Sequence, residues 1–164
     1  MRVIFLDIDG VLNSEEFARW CHEFPEFVRE GGSNWVDPNA VSMITSLCKD
    51  YDVKLVISSS WRMFDVKSTI DCFKNYRDLT PLCKYIVGVT PRNTDDRIWE
   101  SRGEEIQQYL NEHPEIENYV IVDDDNDMLD SQKEHFVRCS YLFGLIPSKV
   151  AKMKEILNSG KSSI

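Results

Sequence analysis

Val3-Ile4-Phe5-Leu6-Asp7-Ile8-Asp9-Gly10-Val11-Leu12 is the stretch on which the fold turns. Four apolar residues run straight into Asp7, a second carboxylate follows two positions later, and then a glycine. An apolar run bounded by a turn signal is the pattern of a strand buried on both faces. Its closing carboxylates then fall at the edge of a sheet, where a ligand can reach them. Two acids this close repel each other. A chain tolerates that for a cation, a protonation role, or both.

Working outward, the pattern alternates. Residues 2–7 form the first strand, and Asp37-Pro38 opens a helix over about 38–50, with Val41, Ile44, Leu47 and Cys48 at helical spacing. Val53–Ile57 is a second strand ending in Ser58-Ser59-Ser60-Trp61-Arg62, and a helix near 64–76 follows. A short strand spans Tyr85–Val89, and residues 90–101 form a polar loop. Arg102-Gly103-Glu104-Glu105 opens the next helix. Tyr119–Val122 leads into Asp123-Asp124-Asp125-Asn126-Asp127. A short helix, a fifth strand (Phe136–Cys139) and a last helix from about Ser148 to Leu157 complete the set. Strands alternating with helices predict an α/β fold with a parallel sheet covered on both faces. Right-handed crossovers bring the strand ends to one edge, where Asp7 and Asp9, Ser58–Ser60 and Asp123–Asp125 converge.

The remaining stretches are less regular. Residues 13–36 carry Phe17, Trp20, Phe24, Phe27 and Trp35 around Gly31-Gly32. They read either as a flap beside the first strand's end or as a helical hairpin filling core space. The chain has 164 residues, which favours a single domain over 1–164, with a frayed tail over 158–164.

Composition narrows the function classes. A net charge of -9 argues against a dedicated binder of duplex phosphate backbone, but not against a small phosphorylated ligand in a local basic pocket. Cys21, Cys48, Cys72, Cys83 and Cys139 are odd in number and widely spaced, which fits a reducing cytoplasm better than a disulfide framework or zinc site. Asp7 and Asp9 come too early for a signal-peptide apolar region, and no stretch approaches the ~20 apolar residues of a membrane span.

The converging residues define a chemistry. Asp7, Asp9 and one of Asp123 or Asp124 suit magnesium, which takes oxygen ligands and is often shared with a phosphate. Asp7 is placed to attack phosphorus in line, and Asp9 to protonate the leaving oxygen and later deprotonate water. Ser58, Ser59 and Ser60 offer hydroxyls and successive N–H groups to phosphoryl oxygens. Arg102 is a candidate for stabilising charge on a transferring phosphoryl group. Arg62, Arg92 and Arg97 compete for that role, and Arg62 and Arg92 could instead grip a distal part of the substrate. His22, His113 and His135 carry no pattern. Asp123, Asp125, Asp127 and Glu134 mimic a calcium loop, but Met128 stands where glycine is needed and a strand precedes. A receiver domain would place an acid at the end of the third strand, and none is there.

In these motifs the chain resembles the haloacid dehalogenase superfamily of phosphohydrolases. Asp7-Ile8-Asp9-Gly10-Val11 is similar to its first motif, Ser58 to the second, Arg102 to the third and Asp123-Asp124 to the fourth. Ile57–Arg62, Arg102–Ile106 and the aspartate run resemble the small phosphatase domains of Swiss-army-knife RNA repair proteins. The resemblance implies a Rossmann-like three-layer sandwich with strand order 3-2-1-4-5, capless or minimally capped. It implies Asp7 as nucleophile and Asp9 as acid/base. For magnesium it implies Asp7, Asp9 and Asp124 as ligands, with Asp123 supporting. The implied activity is a magnesium-dependent phosphomonoesterase. Its substrate would be a phosphorylated small molecule, a nucleotide or a nucleic-acid end. The alternative is a non-catalytic module that keeps the fold and binds phosphate and metal.

Overall fold

In the computed structural model, residues 1–28, 36–76, 78–92 and 101–159 are described. Strands β1 (Arg2–Leu6), β2 (Lys54–Ile57), β3 (Ile86–Val89), β4 (Asn118–Asp123) and β5 (Phe136–Arg138) form one sheet, in the order β3-β2-β1-β4-β5. Every pairing is parallel. The fold class and strand order expected from the sequence are those observed.

The helices are α1 (Glu15–Glu23), α2 (Pro38–Tyr51), α3 (Val66–Tyr76), α4 (Arg102–Glu112) and α5 (Pro147–Ser159). Side chains alternate across a strand, so β1 feeds two cores. Ile4 and Leu6 pack with residues of α2, α3 and α5, including Ile44, Phe73 and Met153. Val3 and Phe5 face the other way, onto Ile106 and Tyr109 of α4. All four strand residues are fully buried, which is why the run reads as continuously apolar rather than alternating.

Local chemistry sets the helix ends. The Asp37 carboxylate accepts the Asn39 N–H at 2.8 Å and Pro38 takes the first helical position of α2. Ser101 and Glu104 form a reciprocal capping box at the start of α4. α3 starts at Val66 rather than near residue 64, because Asp65 accepts the Ser68 N–H at 2.7 Å and caps it there. The element between β4 and β5 is a 3-10 helix, Asp130–His135.

Segment 13–36 is only partly a helix. Ser14 caps α1, and Cys21 is its one buried residue. Trp20 stacks with Phe17 and Phe27, and the exposed edges of this cluster face solvent instead of filling the core. Residues 29–35, with Trp35, lie outside the described residues. Asn158 and Ser159 complete α5, and 160–164 also lie outside. Among the described residues, no helix is long and apolar enough to cross a membrane.

Candidate active site

Register brings the site together. Leu6 lies between Ile57 of β2 and Val122 of β4. The next residue on each strand path is therefore Asp7, Ser58 and Asp123. The Asp7 N–H donates to Val122 O at 3.0 Å and the Ser58 N–H to Leu6 O at 3.0 Å, extending the ladder up to the site.

Among the described residues, Asp7, Asp123 and Asp124 each offer a carboxylate oxygen, and these oxygens all lie within 4.8 Å of one another. Asp123 is buried; its Oδ1 accepts the Asp125 N–H at 3.0 Å, while its Oδ2 has no hydrogen-bond partner. Gly10 sits at φ +67°, and a Cβ there would collide with the Asp124 carboxyl. Gly10 is therefore required twice, once for its backbone and once for the space beside Asp124. Gly10→Ala is expected to displace Asp124 and weaken cation binding at least about tenfold, as measured by calorimetry. Unchanged binding would contradict this placement.

The Asp9 carboxylate does not join the cluster, contrary to its expected place among the metal ligands. It is drawn aside by Asn13 Nδ2 at 2.7 Å, Trp61 Nε1 at 2.8 Å and Ser60 Oγ at 3.5 Å. Asn13 also accepts the Gly10 N–H at 3.0 Å, so the turn after β1 fixes the Asp9 side chain. Neither Asn13 nor Trp61 was singled out from the sequence. An Asn four residues past an Asp, beyond a glycine turn, was the available signal.

Burial dominates the electrostatics of the acids. It pushes the Asp7 carboxyl up to about 6, against the Ile8 N–H, Arg102 and Ser59, which pull it down. Burial and then the charge on Asp7 push Asp123 up to about 8. Asp124 is also raised, by burial and then by Asp125. Three crowded acids, each resisting ionisation, with one buried oxygen lacking a partner, form a hard-oxygen donor set that fits a magnesium-like cation.

The serines differ in detail. Ser58 is fully buried and its hydroxyl has no hydrogen-bond partner, although its N–H is used in the sheet. Ser59 Oγ accepts the Trp61 N–H at 3.2 Å, and a hydrogen bond from Ser59 is among the influences lowering Asp7. Ser60 is turned toward Asp9.

The arginines separate just as clearly. Arg102 faces the acids, with Nε 3.6 Å from Asp123 Oδ2 and Nη1 donating to Glu105 Oε2 at 2.8 Å. Its placement at the head of α4 is fixed by the Asp127 carboxylate, which accepts the Arg102 N–H at 2.9 Å. Arg62, expected to grip the substrate, is instead buried and committed internally. It donates to Thr90 O at 2.9 Å, Ser59 O at 2.7 Å, Pro91 O at 3.0 Å and Glu105 Oε1 at 2.7 Å. Arg92 donates to Ser60 O at 2.9 Å and to Arg62 O at 3.3 Å, and its side chain stays exposed. Arg97 lies outside the described residues. His113 stacks on Tyr109 and His135 on Tyr119, as packing groups.

Glu105, which the sequence shows only as part of the start of α4, is a buried acid. Its two oxygens bridge Arg62 and Arg102, linking the serine turn to the cation over the acids. The signal was its position on the same α4 face as Ile106 and Tyr109, where an unpaired acid would be costly.

Residues 3–150 match the family described as the HAD domain in Swiss Army Knife RNA repair proteins. A comparison with curated proteins found no match. Among solved structures, a haloacid dehalogenase-like hydrolase family protein from Streptococcus pneumoniae is similar, at 13% identity and a TM-score of 0.49, covering 93% of this chain and 90% of that one. Taken with the parallel sheet and the acids at its edge, the match over residues 3–150 shows that the chain belongs to the haloacid dehalogenase superfamily, in the family of HAD domains of Swiss Army Knife RNA repair proteins.

Proposed function

We propose that the chain is a magnesium-dependent phosphomonoesterase that works through an aspartyl-phosphate on Asp7, with a nucleotide or a nucleic-acid end as substrate. The observation that carries this reading is the division of labour among four aspartates. Asp7, Asp123 and Asp124 crowd together, while Asp9 is held apart by Asn13 and Trp61.

In this reading an Asp7 carboxylate oxygen attacks phosphorus and the ester P–O bond breaks. Asp9, kept in one orientation by its neighbours, gives its proton to the departing oxygen. Asp9 then takes a proton from water, which attacks the phospho-aspartate and frees inorganic phosphate and Asp7. Ser58, with its unpartnered hydroxyl, and Ser59 beside Asp7 are placed to donate to phosphoryl oxygens. Arg102 offsets charge developing on the phosphoryl group, and Glu105 holds it in place. Asp7, Asp123 and Asp124 would hold magnesium, which when bound neutralises the crowded acids and the anionic substrate. The RNA-repair description of the family and the local basic groups Arg92 and Arg102 support a nucleic-acid end over an unrelated ester.

A panel of phosphate esters that includes 3'-phosphorylated oligonucleotides tests the proposal. Release of phosphate with magnesium, and its loss with a chelator, is the expected result. No release from any ester would favour the non-catalytic alternative.

The acids also set a pH dependence. A carboxyl whose folded pKa is raised contributes stability that is complete below its unfolded value and is lost as pH rises through the folded value. For Asp7 and Asp123 that window runs from about 4 to about 8. The metal-free protein is therefore expected to melt at falling temperature across this range. Magnesium at a hundredfold excess over its Kd stabilises by about 2.7 kcal/mol, or roughly 5–10 °C for a chain of this size. That shift should be larger at pH 8 than at pH 5. Thermal melts with and without magnesium measure it, and a larger shift at pH 5 would contradict the charge assignment.

A further inference from the structure

We propose that the cavity behind the serine turn, between Phe64 and Arg92, is a subsite for one nucleobase of the substrate. This rests on the phosphatase reading above only for the position of the phosphate. The turn that carries Ser58–Ser60 continues into Arg62, Met63 and Phe64, so the same short segment walls the acids on one side and this cavity on the other. The cavity has a volume of ≈ 380 Å³, and its lining includes Met63, Phe64, Pro91, Arg92, Glu112 and His113. Ligand pockets begin at about 300 Å³, which suits a single base.

Three observations choose a base as the occupant. Phe64 is 96% exposed, only two residues after the buried Arg62, and Met63 between them is also exposed. An exposed ring on a rigid turn is a platform for stacking, and every base offers a π face. The turn is rigid because Arg62 ties it to Thr90, Pro91 and Glu105, and Met63 N–H donates to Thr69 Oγ1 at 2.9 Å. Second, Arg92 is anchored to Ser60 O and Arg62 O, which sets a guanidinium of the cavity lining against the serine turn. It is placed for sugar or phosphate oxygens leading from the reacting phosphoryl group. Third, Glu112 puts a carboxylate on the α4 wall. A second run of phosphate backbone would be repelled there, whereas the amino edge of a base would not. The cavity therefore suits one base better than a second stretch of phosphate backbone.

The test compares binding of a nucleoside 3'-monophosphate with that of ribose phosphate lacking a base, by calorimetry with a chelator in place of magnesium so that neither ligand is turned over. Base stacking predicts that the wild-type protein binds the nucleotide about tenfold tighter or more. In Phe64→Ala, which alters an exposed side chain and so leaves the fold alone, that preference is expected to collapse toward one. Tyr141→Ala, an exposed aromatic elsewhere on the surface, should keep it. Equal binding of both compounds by the wild type, or a preference retained in Phe64→Ala, would overturn the subsite. Phosphate release from the same nucleotide, measured separately with magnesium, separates the two ideas. A base preference without turnover would sink the phosphatase reading and leave the subsite standing.

Discussion

Asp7→Asn is expected to fold and to release phosphate more slowly by on the order of 10⁴-fold or more, the scale on which removing a nucleophile acts. The amide keeps the shape of the side chain but has no carboxylate oxygen to attack phosphorus. The fold should survive, because β1 is held by the sheet and by buried Val3, Ile4, Phe5 and Leu6, none of which changes. The substitution should even stabilise the metal-free protein. It deletes one of three crowded acids, and the charge on Asp7 is the second-largest influence raising Asp123. The signature is therefore a lost rate with a raised metal-free melting temperature near neutral pH. A variant within tenfold of wild-type rate would remove Asp7 from the chemistry.

Glu105→Ala is expected to cost about 3–5 kcal/mol of stability, because it leaves a buried guanidinium without its counter-charge. Arg62 and Glu105 have only 2% and 11% of their side-chain surfaces accessible, so water cannot take over. Burial already pulls Arg62 down to about 10, with Glu105 the main opposing influence. Arg62 holds the Ser59, Thr90 and Pro91 carbonyls in place, so loosening it loosens the serine turn. Arg102 loses its 2.8 Å anchor in the same change. Glu105→Gln keeps acceptor capacity for one arginine and should fall between. Urea denaturation gives the stability, and a fall in kcat larger than the change in KM marks misplacement of Arg102. A loss below 1 kcal/mol in Glu105→Ala would mean the bridge is incidental.

The parts of this molecule that could be read from its sequence are those governed by local periodicity. The apolar run ending in Asp7, the capped start of α2 and the alternation of strands and helices are one-dimensional signals, and the sheet follows from them. The acids converge because parallel register puts equivalent strand ends side by side. What a carboxylate or guanidinium does with its own partners is a different matter. Asp9 and Asp7 are two residues apart, yet Asn13 and Trp61 turn one away from the cluster. Arg62 and Arg92 look alike in sequence, but one is swallowed by four internal acceptors and the other stays on the rim. The buried position of Glu105 depends on how α4 packs against the 58–62 turn, a contact between segments more than forty residues apart. No spacing rule reports such a contact.

The central claim, an aspartyl-phosphate on Asp7, is tested most directly by trapping it. The protein is mixed with a cleavable phosphate ester and magnesium, quenched in acid during turnover, and digested for mass spectrometry. The account predicts one added phosphoryl group on the N-terminal peptide containing Asp7, removed by alkaline treatment and missing from Asp7→Asn. Phosphate release at full rate with no phosphoryl group on that peptide, and with Asp7→Asn still active, would contradict it.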